Sequence, residues 1–108
     1  MTRIYDINDT VAALAPVLKK AGFTSRPYKT GLLGGPKLHS FGDAAIFERA
    51  GKRVDICVDR SEVYVVLQES NATPVRLDQD CPRQSCEFGD IFTAETIKCL
   101  KAKLDAWV

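Results

Sequence analysis

Ala44–Gln68 reads AAIFERAGKRVDICVDRSEVYVVLQ, and the way this stretch alternates decides the fold. Ala44 to Arg49, Arg53 to Asp59 and Glu62 to Gln68 each place apolar residues at every second position. That is the period of a strand with one buried face. Gly51-Lys52 suits a tight turn between the first two runs. It predicts Arg49 opposite Val54, Phe47 opposite Ile56 and Ala45 opposite Val58. A second turn at Arg60-Ser61 predicts Val58 opposite Val63, Ile56 opposite Val65 and Val54 opposite Leu67. Both registers turn apolar residues to the same side. Because a one-residue slip would expose that whole set, the agreement predicts an antiparallel meander with one core face.

Working outward, Asn8 to Ala21 carries Val11, Leu14, Ala15 and Leu18 at helical spacing. Asp9 is placed to cap this helix, Lys19 and Lys20 suit its last turn, and Gly22 ends it. Pro16 falls inside, where it removes one backbone hydrogen bond and predicts a kink. From Phe23 to Gly42 the period is lost among glycines and prolines, with a short strand expected at Tyr28 to Leu33. Beyond the meander, Val75 to Leu77 reads as a short fourth strand and Asp78 to Asp90 as a polar loop. A second helix starts near Thr93 and presents Ile97, Leu100, Leu104, Trp107 and Val108. The expected class is α+β. An N-terminal helix, a three- or four-stranded antiparallel meander and a C-terminal helix make one domain over 1–108. Both helices pack on the Val54/Ile56/Val58 face.

Composition bounds the function. A chain of 108 residues, 45% hydrophobic and 27% charged, matches an ordinary globular domain rather than a disordered chain. The opening MTRIYDINDT has no apolar run of signal-peptide length, and no stretch approaches the roughly 20 apolar residues of a membrane span. The expectation is a cytoplasmic protein with reduced cysteines. A net charge of +1 disfavours nucleic acid as a partner. Charge is nonetheless uneven along the chain. Lys19, Lys20, Arg26, Lys29 and Lys37 fall in a stretch without acids between Asp9 and Asp43, whereas 78–95 is acidic.

Four cysteines allow a thiol or zinc chemistry, with Cys81 and Cys86 as the close pair. Cys57 and Cys99 do not make a second such pair, and ordinary reduced thiols are the simpler expectation, so no metal or cofactor is assigned. Cys57 shares its strand face with Asp55 and Asp59, anions that oppose a thiolate. His39, the only histidine, has no spacing that links it to a nucleophile. Gly31 to Lys37 lacks the spacing of a phosphate loop. The carboxylates Asp55, Asp59 and Glu62 read as the wet side of a strand. No catalytic set is assigned.

One feature asks for more than a solvated face. The two registers align Ile46, Cys57 and Tyr64 on the side opposite the core, with Val66 one step along. Asp55, Asp59, Glu48 and Glu62 stand around them. An apolar centre with a charged rim resembles a protein-binding surface. Ile46, Cys57, Tyr64 and Val66 are therefore the expected partner-binding residues, for another protein or for a second copy of the chain. The layout is similar to small bacterial and phage proteins of the immunity or anti-defence kind, which inhibit by occlusion; that is an analogy of fold. The expected function is a non-enzymatic protein-binding module, and the alternative is a thiol- or zinc-dependent protein using Cys81 and Cys86.

Overall fold

The computed structural model describes residues 3–31, 35–39, 41–60, 62–87 and 89–108. Helix α1 (Ile7–Lys20) leads into β1 (Thr24–Tyr28), β2 (Phe41–Arg49), β3 (Lys52–Asp59), β4 (Glu62–Glu69) and β5 (Val75–Arg76). A 3-10 turn at Leu77–Asp80 and a small hairpin of β6 (Gln84–Cys86) and β7 (Gly89–Ile91) precede helix α2 (Ala94–Trp107). Among the described residues the main sheet holds five strands in sequential antiparallel order. The α+β meander between two helices is thus as the alternation implies, one edge strand wider.

Burial follows the period-two pattern. Val54, Ile56, Val58, Val63 and Val65 point inward with Ala45 and Phe47 of β2. Leu14 and Leu18 of α1 and Leu100 and Leu104 of α2 close the core over them. The second hairpin has the expected register, Val58 opposite Val63 and Ile56 opposite Val65. Arg60 sits in its turn at φ 51; Ser61 lies outside the described residues. The first hairpin is shifted by two. Phe47 faces Val54 and Ala45 faces Ile56, because the turn is Ala50-Gly51 and Lys52 already belongs to β3. Gly51 takes φ 78 there, a conformation that glycine adopts at no steric cost.

Other boundaries move for local reasons. The N-cap of α1 is Asp6, not Asp9. Asp6 Oδ1 accepts from the Asp9 N–H at 2.7 Å and the Asp9 side chain accepts back from Asp6 N–H, a reciprocal capping box. The helix runs through Pro16. The strand expected at Tyr28 to Leu33 is instead Thr24–Tyr28, and positions 32 and 33 lie outside the described residues. It pairs in full with β2 although all five residues are exposed, so no apolar alternation marks it. The expected polar loop at 78–90 holds the 3-10 turn and the small hairpin.

At one end of the sheet, Trp107 ties α2 to the β2–β3 and β4 margins. Its Nε1 donates to Glu69 at 2.7 Å, its carbonyl accepts from Lys52 Nζ at 2.7 Å, and its ring lies 6.0 Å from that of Phe23. Toward the other end, the buried Asp43 carboxylate organises the turn before β2, accepting from the backbone N–H groups of Thr30 (3.0 Å) and His39 (2.9 Å). Those bonds favour its charged form and hold its pKa below the ordinary carboxylate value.

Two outcomes follow from this packing. Ile56→Ala should cost about 2–5 kcal/mol, as buried large-to-small changes do, in a denaturant titration; a variant as stable as wild type would refute the inward placement of Ile56. Asp43 has a lower pKa folded than unfolded, so its contribution is complete above the unfolded value and is lost as pH falls through the folded one. Thermal melts down the acid range should therefore decline less steeply for Asp43→Asn than for wild type.

Candidate functional site

The outer face of the sheet is read row by row. From β1 to β4 one row runs Tyr28, Ala44, Cys57, Tyr64. The next, from β1 to β5, runs Arg26, Ile46, Asp55, Val66, Arg76. Both helices belong to the opposite face, where their apolar stripes meet the core. The expected set of Ile46, Cys57, Tyr64 and Val66 is brought together on one face, with a corrected alignment. The two-residue shift of the first hairpin puts Ala44, not Ile46, across from Cys57, and puts Ile46 across from Asp55. A shift of two keeps every side chain on its own face, so the set survives the correction.

Accessibility divides that set. Ile46 is only 4% exposed, between Arg26 and Asp55 in its row, and so supports the surface rather than forming it. Cys57, Tyr64 and Val66 are half-buried. Tyr28 is 54% exposed at the β1 edge. It joins the surface as a residue that the alternation did not reveal, because β1 itself carries no periodic signal.

The arginines of this face are each paired with a carboxylate. Arg26 pairs with Glu48 at 3.0 Å, and Arg53 grips Asp55 through two bonds of 2.6 and 2.9 Å. Arg76 Nη2 meets Asp78 at 2.6 Å, while its guanidinium lies 4.2 Å from the centre of the Tyr64 ring. The Tyr64 hydroxyl donates to Glu62. That bond, with partial burial, raises the phenol pKa and keeps the hydroxyl protonated. Tyr64 thus lies against Arg76 and is bonded at its tip to Glu62.

Cys57 is not activated as a nucleophile. Burial, followed by the charge of Asp55, raises the Cys57 thiol pKa. Its Sγ donates to the Tyr64 carbonyl at 3.6 Å. A protonated, hydrogen-bonded thiol is a poor attacking group. Among the described residues no three His, Cys, Asp or Glu side chains stand together as a metal site.

The acidic segment is also rearranged. Asp78 is wholly buried, not part of a solvated loop. It accepts from the Val65 N–H at 2.9 Å, from Arg76, and from Arg83 at 3.3 Å. Cys81 is joined by a disulfide to Cys99, with Cα atoms 5.8 Å apart, where the sequence made Cys81 and Cys86 the close pair and reduced thiols the simpler expectation. Cys86 is an exposed free thiol whose Sγ donates to the Gly89 carbonyl. Four cysteines permit several pairings, and sequence alone does not choose among them.

Compared with protein-family models, with curated proteins and with solved structures, the chain matches none. No helix among the described residues is long and apolar enough to cross a membrane.

The disulfide has a measurable weight. Its 18-residue separation closes a loop for which chain-entropy reasoning gives about 3 kcal/mol. Thiol titration of the denatured, unreduced protein should find Cys57 and Cys86 alone. Reduction should then lower stability by about 3 kcal/mol in a denaturant titration. Four free thiols before reduction would refute the bond.

Proposed function

We propose that this protein is a small, non-enzymatic binding module that engages another protein through the outer face of its sheet. One observation carries the reading: an aromatic and aliphatic centre, Tyr28, Cys57, Tyr64 and Val66, lies on a face whose arginines are already paired. Tyrosine and arginine are the residue types that dominate binding energy at protein interfaces. A polyanion such as nucleic acid needs surplus cations to neutralise phosphates. Here Arg26, Arg53 and Arg76 each hold a carboxylate, so they are not surplus cations for a polyanion, and the face offers shape and apolar area. Inhibition by occlusion, as in immunity and anti-defence proteins, is the mode we favour, on the analogy of layout alone.

The place of action is part of the same proposal. Cytoplasmic thiols are kept reduced, whereas disulfides persist in oxidising surroundings. The Cys81–Cys99 bond therefore favours an oxidising compartment over the cytoplasm, and thiol titration of protein quenched in acid at lysis distinguishes the two.

Tyr64→Ala and Tyr28→Ala separate binding from folding. Against a partner captured from the native host, each should weaken affinity by more than about 1 kcal/mol in a calorimetric titration, the usual mark of a contributing interface residue. Tyr28→Ala should leave the melting temperature near that of wild type, because its side chain is already largely in water. Unchanged affinity in both variants would remove the outer face as the interface. Loss of a dimer in Tyr28→Ala by sedimentation would instead assign the face to a second copy.

A further inference from the structure

The inner side of the sheet is not fully roofed. Strands lie about 4.8 Å apart and a helix with its side chains spans about 10 Å, so two helices cover roughly four strands. α1 packs on β3 and against α2, while β1 is exposed along its whole length. Between α1 and the β1 edge lies an open groove of about 230 Å³. Val11, Ala15 and Lys19 line it from one stripe of α1, Phe47 from the sheet floor, and Ser25 and Pro27 from β1.

We propose that this groove receives an acidic amphipathic helix from a partner protein. The surface is separate from the outer face and the inference does not depend on that reading. Charge names the partner's chemistry. Lys19 is the charged residue that α1 brings to the groove, while Arg26 at its margin turns its side chain to the outer row and Glu48. The chain from Thr10 to Gly42 carries five cations and no carboxylate. Arg26 is already paired with Glu48, but among the described residues Lys19, Lys20 and Lys37 enter no ion pair.

Size and backbone name its form. The groove is smaller than the roughly 300–1,000 Å³ that encloses a small ligand, yet it has room for a few apolar side chains. An added strand would meet a defect in the middle of β1. A proline in a paired edge strand turns its nitrogen to the free side, so Pro27 offers no donor there. A helix needs no such donors. Ala15, small and half-exposed, lets its axis approach α1 to the usual 8–10 Å or so. Helices held this way present apolar residues at i, i+3, i+4 and i+7 to the groove.

The test uses the whole chain and three labelled peptides of about 15 residues, long enough for a helix. One carries leucines on a single face with glutamates elsewhere, the second has lysine for each glutamate, and the third scrambles the first. Fluorescence anisotropy should show saturable binding of the acidic amphipathic peptide, with the other two at least about tenfold weaker, as complementary charge and an ordered apolar face require. Lys19→Glu, and separately Ala15→Trp, should each weaken it about tenfold while thermal melts match wild type. Tyr64→Ala should leave it unchanged, which keeps this surface distinct from the outer face. Equal binding of acidic and basic peptides, insensitivity to Lys19→Glu, or no saturable binding would overturn the proposal. So would binding to phosphatidylserine vesicles in place of the peptide, or a Lys19-dependent dimer by sedimentation.

Discussion

A carboxylate with no surface in water must be answered by its neighbours, and Asp78 is answered by three. The Val65 N–H, Arg76 and Arg83 all bond to it. Leaving one member of such a buried set without its partner costs about 3–5 kcal/mol, far more than an exposed ion pair contributes. Asp78 thus fixes β4, β5 and the segment before α2 relative to one another. It also fixes Arg76, whose guanidinium lies against the Tyr64 ring on the outer face. The position of Tyr64 on that face is therefore tied to a charge buried inside the fold.

The segment that follows is held by independent means. The Cys81–Cys99 bond and the hydrogen bond from the Thr96 hydroxyl to the Pro82 carbonyl fasten it to α2. Arg83 reaches from the same segment back to Asp78. Core packing by α2, the disulfide and the buried ion cluster share one set of short connections. Arg76 links this cluster to the outer face, where it lies against Tyr64.

What the sequence disclosed, and what it hid, divides along physical lines. Alternation in Ala44–Gln68 set the inward and outward faces, and these hold even though the first hairpin turns at Ala50-Gly51. A two-residue shift is invisible to alternation because it preserves parity. It changes only who stands beside whom, and that is why Ile46 meets Asp55 rather than Cys57. The first cap moved from Asp9 to Asp6 because both are aspartates with helix ahead of them, and a capping box uses both. β1 gave no signal because an edge strand exposed on both faces has no apolar period. Asp78 resembled its acidic neighbours because composition does not show pairing. The outer set was legible in Cys57, Tyr64 and Val66, while Tyr28 came only with the pairing of β1 to β2.

The single tryptophan stands where α2 meets the sheet margin, with Glu69, Lys52 and Phe23 around it. None of those neighbours belongs to the outer row that holds Tyr28 and Tyr64. Indole emission from this chain is therefore an optical gauge of how α2 seats itself at the end of the sheet. A macromolecule settling on the tyrosine row would leave that emission nearly unchanged, whereas detachment of the last helical turn would alter it at once.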